Sequence, residues 1–71
     1  MTRIPVNSSS IASVGYLPDK RLMEVEFVTG RLYAYEEVPE TVFRELVAAE
    51  SVGRYFSTHV RPAGFRYQKL A

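Results

Sequence analysis

The apolar and polar positions of this chain change period once, between Arg31 and Phe43. Before that point they alternate. Met23, Val25 and Phe27 fall on one side of a pleated strand, with Leu22, Glu24 and Glu26 on the other, as in a sheet that is wet on one face. From Val42 the apolar positions are Val42, Phe43, Leu46, Val47 and Ala49, the spacing of an amphipathic helix. A strand that runs directly into a helix fixes which face of its sheet the helix covers.

Three strands are expected ahead of the helix. Ile11–Tyr16 alternates weakly, placing Ile11, Ser13 and Gly15 on one side and Ala12, Val14 and Tyr16 on the other. Leu17-Pro18-Asp19-Lys20 has the residues of a turn. Arg21–Phe27 is the clearest strand, and Arg31–Glu36 returns antiparallel to it. The loop between these two decides where Tyr33 and Tyr35 point. A two-residue loop, Thr29-Gly30, sets them opposite Glu26 and Glu24 on the wet face. A three-residue loop, Val28–Gly30, pairs Val25 with Tyr33 and Met23 with Tyr35 and turns both rings toward the helices, because one residue of register flips every side chain. Gly30 stands where a type I turn followed by a bulge needs a left-handed residue, which favours the longer loop.

Pro39 suits a first helical position and Glu40 the positive end of the helix dipole, so a helix is expected from Pro39 to Ala48 or Ala49. Ser51 is a cap for a second helix. On it Val52, Phe56 and Val60 share one stripe, with Tyr55 and His59 on the next. Gly53 in its first turn suggests a close neighbour, and Pro62 ends it at or before Arg61. Residues 1–8, polar and broken by Pro5, are expected as a flexible N-terminal arm. The tail, with Phe65 and Tyr67, is expected to dock as an extended piece. The predicted class is α+β: a three-stranded antiparallel β-meander followed by two short α-helices packed on one face, with residues 9–71 as a single domain.

Composition narrows the chemistry. A chain of 71 residues buries only about 60% of its unfolded surface, leaving a thin core worth about 3–5 kcal/mol net. There are no cysteines and one histidine, His59, so disulfides, thiolate metal sites and paired-imidazole sites are excluded. No metal or cofactor is expected. No apolar run reaches the ~20 residues of a membrane span, and Met1–Pro5 lacks a signal peptide's apolar block. The expected location is cytoplasmic, away from membranes. Residues 22–50 hold seven glutamates against two arginines, whereas residues 51–71 hold Arg54, Arg61, Arg66 and Lys69 and no acid. Such asymmetry presents a basic face to phosphate or pairs the two halves with each other.

Two constellations carry candidate function. Tyr33 and Tyr35 on one strand are either base-stacking rings, as on RNA-binding sheets, or ordinary core residues. Ser51-x-Gly53-Arg54-Tyr55-Phe56-x-x-His59-x-Arg61 is either a basic aromatic helix for a nucleic-acid backbone or a solvated helix face. Catalysis is disfavoured and no catalytic residue is assigned. His59 is the sole imidazole base, and Ser57, two positions away, does not share its helix face.

Taken in order, Ser9/Ser10-Ile11, Gly15-Tyr16, Leu22-x-x-Val25-x-Phe27, Gly30, Tyr33-Ala34-Tyr35, Val38-Pro39, Ser51-x-Gly53-x-Tyr55-Phe56 and His59-x-Arg61 resemble the KTSC domain. That small bacterial domain is named for its place at the C-terminus of some lysyl-tRNA synthetases and also occurs free-standing. The resemblance spans roughly residues 8–61. It aligns the family's tyrosine pair with Tyr33 and Tyr35, and its Gly-x-aromatic-Phe helix with Gly53, Tyr55 and Phe56. One departure is that Leu17-Pro18 intervenes before Asp19, where the family commonly has an aspartate after Gly-Tyr. The resemblance implies RNA binding and no catalytic residues.

The leading expectation is therefore a non-catalytic RNA-binding module, with RNA (tRNA included) as partner. Arg54, His59 and Arg61 would contact phosphate, joined by Lys20 and Arg21, while Tyr55 would stack. Tyr33 or Tyr35 would join only with the two-residue loop. The alternative is a protein-interaction or dimerisation adaptor, host- or phage-encoded, acting on a larger bacterial complex. It is motivated by Leu32, Ala34, Phe65, Tyr67 and Leu70, apolar residues in excess of a thin core. A monomer or weak homodimer is expected.

Overall fold

The computed structural model describes residues 3–71; Met1 and Thr2, the outer end of the expected arm, lie outside the described residues. Its sheet has five strands in sequence order, β1 (Arg3–Pro5), β2 (Ile11–Leu17), β3 (Leu22–Phe27), β4 (Leu32–Tyr35) and β5 (Tyr67–Lys69), every neighbouring pair antiparallel. The α+β class and the central meander are as expected. Among the described residues there are five strands, where the pattern predicted three.

Both extra strands are edge strands of three residues, too short to show a period. β1 forms from residues expected as a flexible arm, pairing Arg3 with Gly15 and Pro5 with Ser13. An edge strand tolerates Pro5, whose missing N–H leaves no ladder bond unmade on the inner side. Gly15 has no side chain, so the Arg3 guanidinium crosses it to reach Glu24 at 2.8 Å. β5 pairs Tyr67 with Tyr35 and Lys69 with Tyr33, after a turn in which Gly64 takes a left-handed φ of 77°.

In β2 the register shifts at Ala12, so that Ile11 faces Phe27 while Ser13 faces Glu26. This bulge corrects the simple alternation. It carries Ile11 to the helix side with Val14 and Tyr16 and leaves Ser13 outside, where its hydroxyl donates to Glu26 at 2.8 Å. The β3–β4 loop is the three-residue one. Gly30 has φ 94°, its N–H donates to Phe27 O at 2.9 Å, and Val25 pairs with Tyr33 and Met23 with Tyr35. Both tyrosines therefore sit on the helix side of the sheet.

After β4, Glu37 adopts a left-handed conformation (φ 55°), which turns fully buried Val38 under the helices. The Val38 carbonyl accepts a hydrogen bond from the Tyr16 hydroxyl. α1 spans Glu40–Ala48, with Pro39 in extended conformation as its cap, one position outside the predicted start. α2 (Val52–Tyr55) is capped as expected, the Ser51 hydroxyl accepting from the Arg54 N–H at 3.3 Å. It then widens into a π-helical turn, Phe56–Val60, which the spacing did not reveal. Val52, Phe56 and Val60 are all buried and complete a core with Ile11, Val14, Met23, Val25, Tyr35, Val38 and Leu46. No helix among the described residues is long and apolar enough to cross a membrane.

Candidate nucleic-acid interface

The helices leave part of the sheet's inner face uncovered on the β4–β5 side, and a groove of about 450 Å³ opens there. Phe27, Tyr33, Tyr35 and Tyr67 line it, with Arg31, Arg61, Ser9, Ser10 and Thr29 at its margin. The rings hold one another. Tyr33 meets Phe27 and Tyr67 edge-on at 5.7 and 5.6 Å, and Tyr35 meets Phe56 at 5.7 Å. Edge-to-face packing of this kind fixes rings that would otherwise rotate. Tyr35 is almost closed off, and burial pushes its hydroxyl pKa up against the opposing pull of Arg61. Tyr67 remains 60% exposed and presents a ring to solvent.

A second, polar trough of about 520 Å³ lies on the far side of Ser9 and Ser10, which border both. Arg54, Glu50, Asn7, Gly53 and Ser57 line it. Its wall is rigid. Ser8 Oγ accepts from the N–H groups of Ser10 and Ile11 at 3.2 and 3.3 Å, and Ser10 O accepts from Val28 N–H at 2.9 Å. The close neighbour that Gly53 implied is this loop: a methyl on Gly53 would lie 2.7 Å from Ser10 Oγ.

The ion pairs among the described residues are Arg3 with Glu24 and Glu26, and Arg44 with Glu40. None involves Arg31, Arg54, His59 or Arg61. Arg61 lies over Phe56, its guanidinium carbon 5.5 Å from the ring centroid, so it reaches the aromatic groove while Arg54 reaches the polar trough. His59 lies apart, its ring tilted by 37° against Tyr55 with centroids 4.6 Å apart, in a shallow depression shared with Arg54. The Tyr55 hydroxyl donates to Glu45 Oε1 at 2.7 Å. Its pKa is pushed up to about 12, by desolvation first and then by the Glu45 hydrogen bond and charge. With one face against His59 and its hydroxyl on a carboxylate, Tyr55 serves the α1–α2 contact.

Lys20 and Arg21 are not brought to either groove. They sit in the β2–β3 turn, at the opposite end of the sheet, where Arg21 O accepts from Val38 N–H at 2.8 Å. Lys20 borders an outer-face cleft with Glu24, Glu36, Glu37 and Leu70. Tyr33 and Tyr35, assigned a role only on the wet face, line the groove from the helix side instead. Arg31 and Tyr67 were missing from the expected set. The alternation of Phe65 and Tyr67 after Gly64 was the available signal for β5.

The fold is thus an open five-stranded meander backed by a helical pair, with an aromatic groove where the backing stops. The KTSC domain family model matches residues 7–67, and the chain belongs to that family. It is 43% identical over 70 residues to an uncharacterised protein of Stutzerimonas stutzeri, covering 99% of each. It is 36% identical over 63 residues to a lysine–tRNA ligase of Nostoc sp., covering 89% of this chain and 11% of that enzyme. The crystal structure of a KTSC domain protein from Yersinia pestis superposes with a TM-score of 0.90 at 38% identity, covering 99% of this chain and 97% of that one.

Proposed function

We propose that the chain is a non-catalytic module for single-stranded RNA, tRNA ends and loops included. The observation that carries this is the exposed Tyr67 ring in a groove flanked by Arg31 and Arg61, neither paired with a carboxylate among the described residues. Aromatic faces take bases of any sequence, and adjacent cations hold the backbone. The Nostoc relative, named for a tRNA, supports the same reading, and a cytoplasmic location accords with it. Binding without turnover fits the nucleophile inventory. His59 rests on Tyr55, while the Ser57 hydroxyl donates to Gly53 O at 3.0 Å.

Fluorescence anisotropy with labelled single-stranded RNA tests it. Binding should weaken with salt by about 0.7 log units per log salt for each phosphate contact, or about 1.4 in total if Arg31 and Arg61 each hold one. Absence of binding at low salt eliminates the reading.

An adaptor role is the second reading, favoured by the outer face, where Leu70 is 48% exposed beside Leu22 and Ala34. Sedimentation of the purified chain at micromolar concentration separates the two. A nuclease-insensitive dimer supports an adaptor, and a monomer supports the RNA module.

A further inference from the structure

We propose that the polar trough holds the ribose of the nucleotide adjoining the one stacked in the aromatic groove, so that the module prefers RNA to DNA. This rests on the nucleic-acid reading above and adds a sugar distinction to it. Because Ser9 and Ser10 border both cavities, a strand leaving the groove crosses that loop and enters the trough.

The trough's free hydrogen-bonding groups are mixed. Arg54 only donates, Glu50 only accepts, and Asn7 and Ser9 do both. None of these four side chains is engaged within the described residues. The other hydroxyls are: Ser8 and Ser10 on each other and on their own loop, Ser51 on Arg54 N–H and Ser57 on Gly53 O. A phosphate oxygen only accepts, so a site built for phosphate has donors alone, and the Glu50 carboxylate would repel it. A ribose 2′-hydroxyl both donates and accepts, and it is the group by which a protein tells RNA from DNA. The Glu50 carboxylate accepts a hydrogen bond from it, and Arg54 or Ser9 donates to its oxygen. Gly53 lets the Ser8–Ser10 loop pack closely against the helix beside the trough, since a methyl there would lie 2.7 Å from Ser10 Oγ.

The test is anisotropy with oligouridine and oligodeoxyuridine of equal length, alongside competition by UMP and dUMP. RNA should bind about five- to tenfold tighter than DNA, the effect of one retained hydrogen bond, while UMP and dUMP, confined to the aromatic groove, compete equally. E50A alters an exposed position, and thermal melting checks that the variant stays folded. It should bring RNA affinity down to the DNA level and leave DNA affinity unchanged. Equal affinity for the two oligomers overturns the ribose assignment and leaves nucleic-acid binding standing. So does an E50A variant that binds both more tightly, because Glu50 would then act only by repulsion. If neither oligomer binds, the assignment falls together with the reading beneath it.

Discussion

The guanidinium carbon of Arg61 lies 5.5 Å from the centroid of the Phe56 ring, and the backbone between them makes that contact possible. In an α-helix, residues five apart lie on different faces. Here the Arg61 N–H donates to Phe56 O at 2.9 Å, closing a π turn, and the wider turn stacks the later residue above the earlier one. A buried core ring thereby positions an exposed cation at the groove.

Replacing that cation should therefore separate binding from folding. R61A is expected to lower the salt slope of RNA binding by about 0.7. Its effect on stability should stay near the ~0.5–1 kcal/mol of an exposed cation–π contact. Anisotropy across a salt series and urea unfolding of the same preparation check both.

Tyr67 and Tyr35 face each other across β4 and β5 but differ in burial. Y67A should weaken RNA binding by about 1–3 kcal/mol, the contribution of one stacked base, and leave a folded protein. Y35A removes a ring from the core at about 3–5 kcal/mol, comparable to the whole net stability, so circular dichroism should show it largely unfolded. Equal effects of the two on binding, with both folded, would contradict the division between exposed platform and core support.

Alkaline pH should expose the Tyr55–Glu45 bond. The Tyr55 pKa is raised to about 12 from an ordinary 10.0, so the folded state holds a proton that the unfolded chain releases earlier. The stabilisation is complete below pH 10 and disappears as pH rises from there through about 12. Y55F removes this dependence. Urea unfolding at pH 9 and at pH 11 should show a larger loss for the parent chain than for Y55F.

The Gly53–Ser10 contact yields a double-mutant test. Alanine at 53 gains up to ~1 kcal/mol of helix propensity, but its methyl would lie 2.7 Å from Ser10 Oγ. The pair G53A with S10A should be more stable than G53A alone and more stable than the parent. Chemical denaturation of the four combinations measures the coupling.

Strand order, the Gly30 loop, the Ser51 cap and the buried stripe Val52–Phe56–Val60 were legible because each follows from local residue type or period. The Ala12 bulge was not. An extra residue in one strand is defined by its partner, and only pairing with Phe27 and Glu26 reveals it. β1 and β5 were hidden for a similar reason: three residues carry no period, and their formation rests on Glu24, Ala34 and the rest of an existing sheet. The candidate site was legible in its parts and not in its assembly. Arg54 and Arg61 came from composition, but Tyr67 joins Tyr33 and Tyr35 only through β5. Lys20 and Arg21 share that charge and lie at the opposite end of the sheet from both cavities.

The placement of β1 and β5 at opposite borders has a consequence for tethering. Four inter-strand intervals separate them by about 19 Å. A polypeptide joined ahead of Arg3 would thus approach from the border remote from Tyr67. Cargo fused there leaves the aromatic groove accessible, whereas cargo fused just beyond Ala71 crowds it.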